Sequence, residues 1–319
     1  MKRIRKNGVV KTGNYKPEGQ LMNTAENRRI FTSPALLHEA CCMGTPVEAR
    51  AQLCDSEHNL HVDLGCMKGI IPRNEGAIGI DDGSVRDIAL ISRVNKPVCF
   101  VITGFSVDSK GCQYALLSRK SVQLDCLEQY ISRLSPGDII EAVAAHIENF
   151  GVFCDIGAGI NALLPIDSIS VSRIPHPAAR FTTGQTIKAV VKSIDELGRL
   201  TLTHKELLGT WEQNAAAFNP GETVPGIVRS VEKYGIFVEL TPNLAGLAEY
   251  SEGIAAGSHA GVYIKSMLPE RMKIKLIIVD AFEADYPIAP IKYYTDCGHI
   301  DRWLYSPESC PKIIETIFD

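Results

Sequence analysis

The sequence lacks most of what marks an enzyme or a membrane protein. Its ten cysteines include no CxxC pair, and it has no Walker-type glycine loop, no HExxH and no GxSxG. The common signatures of structural zinc, nucleotide hydrolysis, metalloproteolysis and serine hydrolysis are therefore missing. Gly157-Ala-Gly159 lies between strand-like segments rather than ahead of a helix, which is the wrong context for a dinucleotide site. No apolar run approaches the length that crosses a bilayer, and the basic start Met1-Lys-Arg-Ile-Arg-Lys6 leads into polar sequence instead of a signal-peptide core. Cys66, Cys99, Cys126 and Cys154 fall in or beside apolar runs, as free thiols do in a reducing compartment. Cys297-Gly-His299 with Cys310 has no fourth ligand at zinc-like spacing. The expectation is a cytoplasmic protein that is not an enzyme, with no cofactor and no metal.

What is present is an ordinary globular composition, 319 residues with 45% hydrophobic and 22% charged side chains, enough for two to four domains. A net charge of −4 argues against indiscriminate binding of polyanions, which rests on phosphate neutralisation. The first thirty residues run the other way. Lys2, Arg3, Arg5, Lys6, Lys11, Lys16, Arg28 and Arg29 stand there against Glu18 and Glu26. Contact with phosphate is one reading of that stretch, and a solvated terminus is the simpler one.

One phrase recurs at intervals of roughly 90 residues: His58-Asn-Leu-His-Val-Asp-Leu64, Phe150-Gly-Val-Phe-Cys-Asp-Ile156 and Tyr234-Gly-Ile-Phe-Val-Glu-Leu240. In the second copy Val152, Cys154 and Ile156 alternate onto one face, leaving Phe153 beside Asp155 on the other. In the third, Ile236, Val238 and Leu240 leave Phe237 beside Glu239. Rings and acids are thus expected together on the wet face. Each phrase is preceded by an apolar strand (Val47 to Leu53, Ile139 to Ile147, Val224 to Val231) and followed by three more. Five short strands in about 70 residues, with turns between them, predict a small closed β-barrel in each unit.

Between barrels the apolar period lengthens to that of a helix. Leu124, Leu127, Ile131 and Leu134 mark one connector, and Leu207, Leu208, Trp211, Ala215 and Phe218 mark another, with Trp211 read as packing. Ser33-Pro34 starts an N-terminal helix. His204 and Glu206 border the second connector and are read as cap and solvent residues. The expected fold is mostly β, three tandem five-stranded barrels joined by short helices. The expected division is a basic extension with a short helix at 1–43, barrels at 44–120, 137–204 and 220–282, linkers at 121–136 and 205–219, and a C-terminal tail at 283–319 that ends in a short helix.

The second unit carries the fullest constellation. Phe150 and Phe153 share an outer surface, Gly151 permits a bend or a close backbone approach, and Asp195 and Gly198 precede Arg199 at the closing turn. Two rings with a guanidinium and a carboxylate nearby offer base stacking and a phosphate contact. The chain from about residue 44 to 282 resembles repeats of the S1-type RNA-binding domain, an OB-fold barrel. The resemblance rests on Gly137, Phe150-Gly-Val-Phe153, Ala162-Leu-Leu-Pro165, Ile194-Asp-Glu-Leu-Gly-Arg199 and Leu202-Thr-His-Lys205. The chain is also similar as a whole to short S1-like proteins of clostridial-type bacteria. The resemblance implies RNA-binding roles for Phe150, Phe153, Asp195 and Arg199, while the family's histidine position holds Pro165. In the third unit it implies Tyr234 and Phe237, with Lys273 as the cation and Lys275 beside it, but Glu249 replaces the histidine and Pro269 the acid. In the first unit His58 and His61 replace the rings and read as surface residues, so that unit is expected to serve protein contact.

The function so implied is single-stranded RNA binding without catalysis, engaging mRNA or the small (30S) ribosomal subunit and its proteins, with no membrane partner. The alternative is a protein-interaction adaptor docking on a ribosomal or RNA-processing partner, which suits the acidic count of the second and third units.

Overall fold

A computed structural model of the chain describes residues 15–319. Lys2, Arg3, Arg5, Lys6 and Lys11 of the basic stretch lie outside the described residues. Three closed five-stranded barrels occur along the chain. The first is built from β1 (Val47–Cys54), β2 (Leu60–Asp63), β3 (Lys68–Ile71), β4 (Pro97–Val107) and β5 (Gln113–Ser118). The second comprises β6 (Ile139–Glu148), β7 (Gly151–Gly157), β8 (Ile160–Pro165), β9 (Thr186–Ile194) and β10 (Leu200–Thr203). The third comprises β11 (Thr223–Glu232), β12 (Gly235–Thr241), β13 (Leu244–Ala248), β14 (His259–Leu268) and β15 (Lys273–Phe282). In all three, strand one joins strand two, then three, five, four and back to one, with only the three–five pairing parallel. The period-2 pattern produces this directly. Val62, Cys154 and Val238, at equivalent places on the second strands, are each almost fully buried in their own barrel.

The chain forms two compact units. One comprises Met1–Leu134 with Asp155–Asn161, and the other Ser135–Cys154 with Ala162–Asp319. In the first unit, helices α1 (Ala25–Ile30), α2 (Pro34–Met43) and α3 (Ile88–Ile91) accompany the barrel, and α4 (Arg119–Gln129) follows it. Ser33 caps α2, with Pro34 at its first position, as the sequence predicts. Of the predicted apolar face Ile131 and Leu134 are buried and Leu127 is half-buried, but α4 departs from it at its start. Leu124 is exposed, whereas Arg119, Val122, Gln123 and Cys126 are buried. The cause is polar. Gln123 accepts from the Ile78 amide at 3.0 Å and donates to the Ala158 carbonyl at 3.2 Å, and Arg119 reaches Glu18 at 2.6 Å.

Glu18 belongs to an N-terminal strap held by buried carboxylates. Its own side chain binds Arg119, Arg93 and the Cys99 amide, and its backbone amide donates to Asp155 at 2.8 Å. The amides of Gly19, Leu21 and Met22 all donate to Glu48 Oε2 at 2.9–3.0 Å. Burial pushes the Glu48 carboxyl up to about 7 against those three donors, and burial with the Glu18 charge pushes Asp155 up to about 7. Glu18 is held low, because Arg119 and Arg93 outweigh its burial.

In the second unit α5 (Trp211–Ala215) is a single capped turn after the short 3-10 turn Lys205–Leu208, shorter than the predicted connector. Trp211 is buried in the core of the third barrel with Trp303 and Tyr305 of the tail. His204 and Glu206 correct the sequence reading, since both are buried. His204 Nδ1 meets the Ile169 carbonyl at 3.1 Å, and burial, reinforced by the Arg180 charge, pushes its imidazole down to about 4, so it is neutral at pH 7. Glu206 accepts from Thr203 at 2.6 Å and from Thr316 at 2.8 Å. The expected terminal helix is absent. Instead β16 (Arg302–Leu304) pairs antiparallel with β17 (Glu315–Ile317), consistent with the β-branched side chains Ile313, Ile314, Thr316 and Ile317. His299, of the cysteine–histidine fragment, binds the Asp138 carboxylate at 2.6 Å.

Asn243 ties this unit together. It is wholly buried, accepts from the Val171 amide at 2.9 Å, and donates to the carbonyls of Lys205 and Gly209 at 2.8 and 2.9 Å. Asn243→Ala is expected to cost about 3 kcal/mol through three orphaned backbone groups, read as a lowered urea midpoint. The strap predicts a pH dependence in the first unit. Carboxyls raised in the folded state stabilise it below their unfolded pKa, and that contribution is lost as pH rises through the folded value. Asp155 from about 3.8 and Glu48 from about 4.5 therefore weaken the strap as pH rises to about 7, while Glu18 contributes above about 4.5 and is lost in acid. Hydrogen exchange of the strap amides, corrected for intrinsic rate, should show this loosening, and Glu48→Gln should flatten it.

Candidate nucleic-acid interface

The rings are positioned by a glycine. A β-carbon on Gly151 would stand 2.5 Å from the Leu164 carbonyl oxygen, and one on Gly235 would stand 2.5 Å from that of Ala248. The third strand thus passes so close to the start of the second that only glycine fits, and the preceding ring is turned outward at the barrel edge. Phe150 is 54% exposed and Tyr234 70%. Phe153 and Phe237, half-buried one pleat further along, meet them edge to face with centroids 5.9 and 6.1 Å apart and interplanar angles of 87° and 85°. The two barrels therefore present the same ring pair in the same geometry.

The acids beside the rings are not on a wet face. Asp155 and Glu239 alternate onto the ring side of the strand, yet both are buried. Asp155 accepts from the amides of Gly157 and Gly159 as well as Glu18. Glu239 is bound by Arg229 through two hydrogen bonds, at 2.8 and 3.0 Å, and by Arg180. Alternation decides which side of a sheet a residue takes, but not what covers it. The open part of the face is confined to the ring end of each strand.

A third ring joins the second barrel's pair. His146 on β6 lies stacked on Phe153, centroids 6.5 Å apart at 21°, and its Nε2 pairs with Glu148 at 2.6 Å. Sequence reasoning missed it because Ile140, Ala142 and Ala144 are buried and strict alternation would send His146 inward with them. In the third barrel the corresponding residue is Ser230, which pairs with Phe237 just past a register shift in β11. A bulge of this kind reverses the facing of the residues beyond it. The only available signal is the charged cluster His146–Glu148 at the end of an apolar strand.

Asp195 and Arg199 close the β9–β10 turn. Asp195 accepts from the amides of Arg199 and Leu197 and from Arg199 Nε at 2.7 Å, and these bonds hold its carboxyl below the usual range. The guanidinium is exposed and, among the described residues, is not stacked on a ring, being placed ahead of β10, two strands from β7. In the third barrel the register lines up Phe237, Leu247 and Lys275 across β12, β13 and β15, with Lys273 two residues earlier on the same exposed face. Among the described residues neither lysine pairs with a carboxylate. In the first barrel His61 is bound to Asp55 at 2.8 Å and His58 sits in a left-handed turn with φ 64°, so no ring pair forms there.

Residues 133–205, the span of the second barrel, match the S1 RNA binding domain. The small ribosomal subunit protein bS1 of Rhodopseudomonas palustris is 29% identical over 197 residues, which cover 60% of this chain and 33% of that protein. The bS1 protein of Staphylococcus aureus is 30% identical over 172 residues, 52% of this chain and 43% of its own. The chain thus spans less than half the length of these curated relatives. A solved multidomain protein with nucleic acid binding domains from Streptococcus pneumoniae aligns over 76% of this chain and 75% of its own, at 14% identity and a TM-score of 0.25.

Replacing Gly151 by alanine should drive β7 from β8 and destabilise the second barrel by about 2–3 kcal/mol, seen as a lower unfolding midpoint and lost exchange protection in β7 and β8, with the third barrel unaffected.

Proposed function

We propose that this chain, an S1 RNA-binding domain protein distantly related to ribosomal protein bS1 with three OB-type barrels, binds single-stranded RNA without catalysing a reaction. The observation that carries the reading is the pair of edge-to-face ring sets exposed at matching places on the second and third barrels. Bases stack on Phe150, Phe153, Tyr234 and Phe237, a mode tolerant of sequence because every base has a π-face. Arg199, oriented by Asp195, and Lys273 and Lys275 meet the backbone phosphates. Two modest sites on one chain reinforce each other through effective concentration. Messenger RNA or the small ribosomal subunit, in the cytoplasm, is the partner in this reading, and the distant relation to bS1 supports it. The first barrel, with two histidines in place of the rings, takes a protein-contact role.

Fluorescence anisotropy with an unstructured RNA tests the site. The triple variant Phe150→Ala, Phe153→Ala, Phe237→Ala should bind about 10- to 100-fold more weakly. With three phosphate-facing cations, the logarithm of the binding constant should fall with the logarithm of salt at a slope of about −2. Binding unchanged by the triple variant would refute the stacking site and favour the adaptor reading, in which partner capture survives ribonuclease.

A further inference from the structure

The second unit holds a cavity of about 660 Å3 that none of the ring residues line. Its walls are the turn Pro177–Ala179 with Arg180, the strands β11 and β12, and the extended chain at 285–292. Arg180, Arg229 and Glu239 line it, all nearly buried. Arg229 and Glu239 already neutralise each other through two hydrogen bonds. Arg180 reaches the same carboxylate with one Nη nitrogen, so one buried positive charge remains without a carboxylate of its own. Its Nε is buried and, among the described residues, has no acceptor. The remaining charges on the walls do not supply one. Asp285 is exposed and pairs with neither arginine, and Lys292, lying over the Tyr294 ring at 4.6 Å, adds a positive charge.

An orphaned guanidinium N–H in a buried site is costly unless something accepts from it. A phosphate oxygen is suited to it, because arginine presents planar donors that match phosphate geometry. The remainder of the cavity suits an organic group. His259 and Tyr286 meet edge to face at 4.7 Å, and Ile288 and Leu240 contribute apolar wall. The volume lies in the range of small-ligand sites.

We propose that this cavity binds a phosphate monoester of nucleotide size, with the phosphate accepting from Arg180 and the base against His259 and Tyr286. The ligand has two sources, a free nucleotide or a terminally phosphorylated RNA end. Isothermal titration of the full chain with adenosine monophosphate should show saturable binding, and Arg180→Met should weaken it at least tenfold. Arg180→Met leaves the neutral Arg229–Glu239 pair in place, so its unfolding midpoint is measured alongside. If that variant unfolds, Arg180→Lys keeps the charge, removes the Nε donor and should still lose affinity. No saturable binding by the unmodified chain, or equal affinity in a folded Arg180 variant, overturns the proposal. RNA hexamers with and without a 3′-phosphate, titrated into the Phe150→Ala, Phe153→Ala, Phe237→Ala background, separate the sources. A gain from the 3′-phosphate identifies an RNA end, and binding of the mononucleotide alone identifies a free nucleotide. Mononucleotide binding that survives the ring substitutions keeps this site distinct from the stacking site, so either can fail alone.

Discussion

A carboxylate buried two positions beyond Phe153 and Phe237 governs much of what surrounds the second strands of the last two barrels. Asp155 and Glu239 cannot remain charged and unpaired away from water, because the desolvation cost of an isolated ion is several kcal/mol. Each therefore gathers donors. Asp155 takes three backbone amides, one of them from the N-terminal strap of its unit. Glu239 takes two guanidiniums. The same requirement explains Glu48 and Glu18, whose partners fix the path of residues 18–22, and the inward turn of Arg119 and Gln123 on α4. Polar satisfaction, more than apolar patterning, sets how the segments outside the barrels lie.

The stacking surface depends on a separate and more local constraint. A third-strand carbonyl lies 2.5 Å from where a β-carbon would stand on Gly151 or Gly235, which leaves room only for glycine and sends the ring before it outward. The three barrels form a graded series on this scaffold. The second has Phe150, Phe153 and His146, with an arginine held by Asp195. The third has Tyr234 and Phe237 with two lysines in register. The first has a histidine occupied by Asp55. One backbone thus carries a full ring site, a partial one and none, since the ring positions are on the outside of the barrel and do not enter its core.

The tail shows the limits of reading patterns locally. After residue 283 the periodicity fades, yet Trp303 and Tyr305 are buried against the third barrel, and Asn243 receives the Tyr305 hydroxyl on its carbonyl. Long-range burial gives structure to a segment with little pattern of its own. His204 and Glu206 are buried for the same reason, since Tyr293 and β17, far from them in sequence, lie over them.

The sequence by itself determined the barrels, their five strands, the recurrence of the ring phrase and the difference among its copies. Those properties follow from period-2 alternation and from short turns, which act over a few residues. The tertiary structure alone decided which outward residues stay wet. It buried Asp155 and Glu239, turned Arg119 and Gln123 of α4 inward, and enclosed Arg180 in a cavity. Each of these depends on segments far apart in the chain meeting and exchanging hydrogen bonds, and a pattern confined to one strand holds no record of what will come to cover it.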